Sequence, residues 1–411
     1  MTPSIDRTEL SSGVRVLTET IPSVGSVAVG AWVDAGSRDE APAQNGIAHF
    51  IEHMVFKGTR RRRGHHINQR MEAVGGYLNA FTTKEHTCFY ARGLAEHTGR
   101  ALETVLDLVA EPTLPEREIE KEKDVVVEEI KMYEDAPEDH VFDYYEAAMY
   151  PDHPLGRPII GTPETVRSFS RVDLEGYVAR HYVPDRLVVS VAGRVRHDEV
   201  VRHVERLLAD FDRAPRPAER LPANGYAPVE AAVERPIQQA HVVVGTRAPG
   251  ALDERRTTLS VLNTILGGGM SSRLNQNIRE KYGWCYSVYS FVNVQRDSGD
   301  LGVYVGTDAA RAERSRALIE RELARLAETP VSARMLDRAK HQLKGSIVLG
   351  LESMSNRMQR LGRVELTHGR TVPVAEVVAE IEAVTAEGVR GLAAELFAPG
   401  RLSTVALLPA D

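Results

Sequence analysis

One order of strands and helices runs through this chain of 411 residues twice. In the first half, Val14–Ile21 and Ser26–Ala35 read as strands, because valine recurs in them with period-two alternation. Asn45–Phe56 reads as a helix that Gly58 stops. Gly76–Phe81 and Thr87–Leu94 read as two strands around a short turn. Thr98–Val109 and Pro115–Tyr133 read as helices, the second opening with a proline and then acidic residues, as a helix start favours. Leu187–Ala192 reads as a strand and Val200–Phe211 as a helix. In the second half, Ala240–Gly245, Trp284–Val292 and Gly299–Val305 take the strand places. Leu259–Leu266, Ser272–Lys281, Arg311–Ala327 and Ser332–Leu349 take the helix places. Self-similarity on this scale implies two α+β units of like topology, each of roughly 200 residues.

Between them the composition changes. Asp212–Val229 carries Pro215, Pro217, Pro222 and Pro228 with few large apolar residues, which suits a linker. The expected division is therefore 1–213, a linker at 214–229, and 230–411. A length of 411 residues independently favours more than one core.

Only the first unit carries a cluster of metal-type residues. His49-Phe50-Ile51-Glu52-His53 lies within the first predicted helix. Histidines four apart share a helix face, so both imidazoles can reach one ion. Glu52 falls at the edge of that face, within reach of a metal-associated water. HxxEH is the inverted form of the zincin motif, called the inverzincin signature. A catalytic zinc needs a third protein ligand and an open position. The helix Pro115–Tyr133 offers Glu116, Glu118, Glu120, Glu122, Glu128 and Glu129, and spacing alone does not choose among them. Glu122 and Glu129 share a face, so one suits a ligand and the other its support.

Bulk properties exclude several other classes. The chain is 42% hydrophobic and 27% charged, with a net charge of −7. This gives no basic surface for nucleic acid and no run apolar enough for a membrane span. The N-terminus lacks the basic and apolar regions of a secretory signal. Cys88 and Cys285 are far apart and form no metal or redox motif, so a cytoplasmic, reducing setting is expected. Arg60–Arg63 reads as a solvated basic loop. Gly267–Gly269 lacks the lysine and context of a phosphate loop.

The stretch from Gly36 through Gly46-Ile47-Ala48-His49-Phe50-Ile51-Glu52-His53-Met54-Val55-Phe56-Lys57-Gly58-Thr59 resembles the zinc signature of the pitrilysin/insulinase-type metallopeptidases. The nearest branch is the bacterial one that is similar to the mitochondrial processing peptidase β-subunit. Gly75-Gly76-Tyr77-Leu78-Asn79-Ala80-Phe81-Thr82, His153-Pro154-Leu155-Gly156-Arg157, Gly267–Leu274 and Arg279–Ser287 extend the likeness over nearly the whole chain.

The resemblance implies two domains of the processing-peptidase-like metallohydrolase type, each a mainly antiparallel sheet with packed helices. It implies one zinc per chain held by His49, His53 and Glu129, with Glu128 as the alternative one register away. Glu52 becomes the general base, assisted by Glu122. Tyr77, Leu78, Asn79, Ala80 and Phe81 become an edge strand that pairs with an extended peptide, and Arg279 and Tyr286 the residues that meet substrate from the facing side. Two chains of this size form a clamshell in that branch. This chain carries both half-sites, so a homodimer with sites completed across it is expected. The competing expectations are a non-catalytic, peptide-binding scaffold and the catalytic half of an obligate heterodimer.

Overall fold

The computed structural model describes residues 4–214 and 220–410. Residues 215–219 of the expected linker lie outside the described residues. The chain divides into two compact units. Unit 1 comprises Met1–Lys131, Arg157–Arg220 and Gly350–Thr371, and unit 2 comprises Met132–Gly156, Leu221–Leu349 and Val372–Asp411.

Unit 1 is built on a six-stranded sheet. Its strands are β1 (Ser4–Glu9), β2 (Arg15–Thr20), β3 (Ser26–Val33), β4 (Tyr77–Thr82), β5 (Thr87–Leu94) and β6 (Leu187–Gly193). Their spatial order is β1-β2-β6-β3-β5-β4. Only the β2–β6 pair is parallel. β6 reads LVVSVAG and is buried along its whole length, as is nearly all of β3. Such unbroken apolar runs need cover on both faces. One face packs on Phe50, Ile51 and Met54 of the helix Ile47–Val55 and on Leu102, Val105 and Val109 of the helix Thr98–Ala110. The other face presents Leu17, Ala28, Trp32, Val188 and Ala192, and these pack on Met358 and Leu366 of the helix Met354–His368. Gly362 of that helix has no room for a side chain, because a Cβ there would lie 2.2 Å from the Trp32 indole.

Unit 2 repeats the plan with one strand fewer. β7 (Glu230–Arg235), β8 (Ala240–Ala248), β9 (Cys285–Val294), β10 (Gly299–Thr307) and β11 (Ser403–Pro409) lie in the order β7-β11-β8-β10-β9. Again a single parallel pair, β7–β11, adjoins antiparallel neighbours. One face packs on the helices Arg256–Gly267, Ala312–Glu328 and Ala386–Leu396. Val141, Tyr145 and Met149 of the helix Pro137–Met149 cover Val243, Tyr304 and Leu407 on the other. The expected α+β pair of similar, mainly antiparallel domains is thus observed.

These units cut the chain differently from the contiguous division at 214–229. The helix Met354–His368 comes from the second half yet belongs to unit 1, and Pro137–Met149 from the first half belongs to unit 2. The physical reason is the second apolar face of each sheet, which needs a helix that its own half does not supply. Among the described residues, no helix is long and apolar enough to cross a membrane. Both cysteines are free and buried.

Candidate metal centre

The centre rests on two helices of unit 1. The first, Ile47–Val55, buries Ile47, Phe50, Ile51 and Met54 and so turns His49, Glu52 and His53 toward its opposite side. Its N-cap, Gly46, has a φ of 93° and offers no side chain. Glu40 takes over that duty: its carboxylate accepts from the backbone N–H of Gly46 at 2.8 Å, that of Ala48 at 2.9 Å, and Asn45 Nδ2 at 3.1 Å. A carboxylate also complements the positive end of the helix dipole. The second helix, Glu116–Glu134, buries Ile119, Val126 and Ile130, which fixes the face that carries Glu122 and Glu129.

His49, His53 and Glu129 place one potential ligand atom each within 4.8 Å of one another. Glu129 approaches His53 Nε2 at 3.5 Å and His49 Nε2 at 3.9 Å. Glu128 points elsewhere, pairing with Lys131 at 2.6 Å with its side chain 71% exposed. Helix rotation thus separates two glutamates that spacing left open. Glu122 Oε1 accepts a hydrogen bond from His53 Nδ1 at 2.9 Å, and Lys57 Nζ holds Glu122 Oε2 at 2.5 Å. With Nδ1–H committed to a carboxylate, the Nε2 lone pair is left toward Glu129, the arrangement seen in carboxylate–histidine–metal triads.

Electrostatics agree with this geometry. Burial, reinforced by the neighbouring His53, pushes the His49 pKa down to about 3, so the ring is neutral, the form that ligates. For His53, burial acts downward, but the Glu122 hydrogen bond and the charges of Glu129, Glu122 and Glu52 together hold the pKa above its ordinary value. Burial pushes the Glu129 carboxyl up, against the charge of His53. Two imidazoles and one carboxylate, gathered at one point and oriented by a further carboxylate, fit the donor set of a catalytic zinc site.

Glu52 lies beside this cluster, and Thr82 Oγ1 of β4 donates to its Oε2 at 2.6 Å. Burial raises the Glu52 pKa, while the Thr82 hydrogen bond and the charge of His53 oppose the rise. β4 is the last strand of its sheet, so among the described residues one side of its backbone has no strand partner. Ala80 is buried, Leu78 packs toward the core, and Tyr77 and Asn79 are exposed. An unpaired edge next to the cluster is a template for strand addition. Glu85 pairs with Arg38 at 2.7 Å and is no part of the cluster. The arginine loop is also accounted for locally: Arg62 pairs with Glu103 and Asp107, and Arg61 with Glu111.

Arg279 and Tyr286 lie in unit 2, the first on a widened helical turn and the second on β9. The Arg279 guanidinium stands 5.5 Å from the centre of the Tyr286 ring. Sequence reading did not find Glu40, Lys57 or Thr82. The only available signal was for Thr82, as the strand residue following the predicted edge.

The chain thus combines a duplicated α+β fold with a candidate His-His-Glu metal site on two helices of its first unit, beside the edge strand of that unit's sheet. The chain belongs to the insulinase family of peptidases, family M16. Residues 15–163 match the insulinase (peptidase family M16) domain, and residues 168–343 match the peptidase M16 inactive domain. The chain is 42% identical to YmxG of Bacillus subtilis, named an uncharacterized zinc protease, over 96% of each chain. It is 44% identical to an uncharacterized zinc protease of Mycobacterium leprae, over 95% of this chain and 89% of that one. In fold it is similar to a protease from Helicobacter pylori, with a TM-score of 0.94 at 21% identity, covering 99% of this chain and 100% of that one.

Proposed function

We propose that this chain is a zinc-dependent endopeptidase that hydrolyses extended or unfolded peptides. The observation that carries the reading is the convergence of His49, His53 and Glu129 with Glu52 held beside them by Thr82. The naming of its relatives as zinc proteases supports the choice of metal and of chemistry.

His49, His53 and Glu129 would hold one zinc per chain, and Glu122 would fix the His53 ring through Nδ1. When bound, the ion supplies Lewis acidity, polarising a carbonyl and lowering the pKa of a coordinated water toward 7. Glu52 takes the proton of the attacking water and later delivers it to the leaving amine. Its raised pKa makes it a stronger base than an exposed glutamate and a usable acid in the return step. Tyr77–Phe81 binds the peptide as an added strand, using main-chain hydrogen bonds that carry little sequence information. Arg279 holds a substrate carbonyl and the Tyr286 hydroxyl stabilises the tetrahedral intermediate. In this reading the protein is a homodimer in which the partner's Arg279 and the partner's Tyr286 complete each site, and two free cysteines suit a cytoplasmic setting.

The test is metal content together with cleavage of a mixed library of unstructured peptides by wild type and Glu52→Gln. The expected result is about one zinc per chain in both proteins, with turnover in the variant lower by roughly 10²–10⁴-fold. Retained activity in the variant would remove Glu52 from its role. A chain that binds no metal would favour the peptide-binding scaffold. Metal without cleavage in wild type, from a chain that sediments as a monomer, would favour the obligate heterodimer.

A further inference from the structure

Arg279 and Tyr286 each occupy an irregularity in an otherwise regular element. The helical segment 273–282 widens into a π turn over Asn275–Glu280, and Arg279 sits within it. In the β9–β10 ladder, Ser287 pairs with Gly306 and Cys285 with Thr307, so Tyr286 is the extra residue of a bulge. The residue is 86% exposed. Both a π turn and a bulge spend regular hydrogen bonding to re-aim a side chain, and both recur at functional sites.

One buried side chain joins the two irregularities. Asn275 opens the π turn and is 7% exposed. Its Nδ2 donates toward Gly269 O at 3.1 Å, Ser272 Oγ at 3.3 Å and Val288 O at 3.3 Å. Val288 lies on β9, two residues beyond Tyr286. A single amide therefore ties the glycine-rich turn, the Arg279 turn and the Tyr286 strand. The turn is anchored a second time by Asn277 Nδ2, which donates to Glu322 Oε2 at 3.0 Å. The buried Glu322 is itself paired with Arg273 at 2.8 Å and Arg325 at 2.8 Å. Arg279 has no carboxylate partner among the described residues; its Nη1 lies 3.6 Å from Met270 Sδ and its guanidinium 5.5 Å from the centre of the Tyr286 ring. Its guanidinium is left for an acceptor from outside.

We propose that Asn275 is a positioning residue for the Arg279–Tyr286 pair, setting the distance between guanidinium and phenol hydroxyl so that both meet one peptide. This rests on the peptidase reading above. Asn275 touches no substrate and acts through the two elements it joins.

The experiment is a cycle of Asn275→Ala in wild type and in the double variant Arg279→Ala/Tyr286→Phe, read as kcat/KM on one library peptide, with zinc content and Tm recorded. In wild type, Asn275→Ala should cost roughly 10–10²-fold, the scale of a small misplacement of reacting groups, with zinc content unchanged. In the double variant the same substitution should cost less than about 2-fold, since coupled residues are non-additive. Equal losses in both backgrounds, or no loss in wild type, overturn the proposal. If Asn275→Ala fails to fold, Asn275→Asp keeps the shape and removes the donor to Gly269 O and Val288 O, and the same two-background comparison decides. A double variant as active as wild type, or a wild type that cleaves nothing, instead sinks the reading on which the proposal rests.

Discussion

The Thr82 hydroxyl donates to Glu52 Oε2 across 2.6 Å, joining the edge strand to the residue proposed as base. This bond opposes the upward push of burial on the Glu52 pKa. Thr82→Val keeps the shape and removes the donor. The Glu52 pKa should rise, so the acid limb of the kcat/KM profile should move to higher pH. The limb belongs to a base that must be deprotonated, hence the sign. Rates measured from pH 5 to 9 check it, and an unmoved limb with full activity would release Thr82 from any part in tuning the base.

Glu122 should matter through His53. Glu122→Gln can still meet Nδ1, but with a weaker, neutral acceptor. Loss of an outer carboxylate of this kind costs roughly 10–100-fold in metal affinity. Competition against a chelator of known affinity measures it. The same variant frees Lys57, whose partner it is, so Lys57→Met serves as the control: it should change zinc affinity far less.

Glu40→Ala should unfold the metal helix from its start. The substitution leaves the N–H groups of Gly46 and Ala48 without their acceptor in a buried place. Loss of a helix cap costs about 1 kcal/mol, and each buried unsatisfied donor about 1–3 kcal/mol. Denaturant titration should show the loss, and zinc affinity should fall with it because His49 follows three residues after Gly46. Glu40→Gln keeps one acceptor oxygen where both carboxylate oxygens accept, so it should recover only part of the stability.

Unit 2 should have a pH dependence of its own. Asp300 on β10 is fully buried, and burial, reinforced by the charge of Glu146, pushes its pKa to about 8 against the hydrogen bond from Asn293. Between the unfolded value near 3.8 and about 8, the folded chain holds a proton that the unfolded chain has released. Stability contributed by this residue therefore falls as pH rises through that window. Asp300→Asn carries no ionisable group, so it should flatten the curve and be the more stable protein at pH 9. Urea midpoints at pH 5, 7 and 9 test this, and parallel curves for the two proteins would refute it.

Much of the fold was legible because its signals are local. Alternating valines mark β2 and β3, the repeat of the first half's order marks β8, and the four-residue spacing of His49 and His53 puts both on one helix face. The choice of Glu129 over Glu128 depends on which side of a helix is buried, and Val126 and Ile130 decide that only once packed. Thr82, Lys57 and Glu40 escaped because each reaches the centre by a tertiary route. A threonine at a strand end or a glutamate after a turn has no periodicity to give it away. The π turn at Asn275 was read as ordinary helix for the same reason, since its widening is held by distant acceptors such as Val288 O.

The exchange of Met354–His368 and Pro137–Met149 between the halves of the chain bears on how the protein is made. On the ribosome, the apolar face of the first sheet that carries Leu17, Trp32 and Val188 must wait for Met358 and Leu366 to emerge more than 150 residues later. Until then the nascent chain displays a sticky surface that chaperones have reason to cover. Neither half is a self-sufficient inheritance: a gene cut at the proline-rich boundary would yield two fragments, each lacking the lid for one face of its own sheet. Each half thus lends the other the helix that covers the face its own elements leave bare, so neither sheet is complete until the whole chain is present.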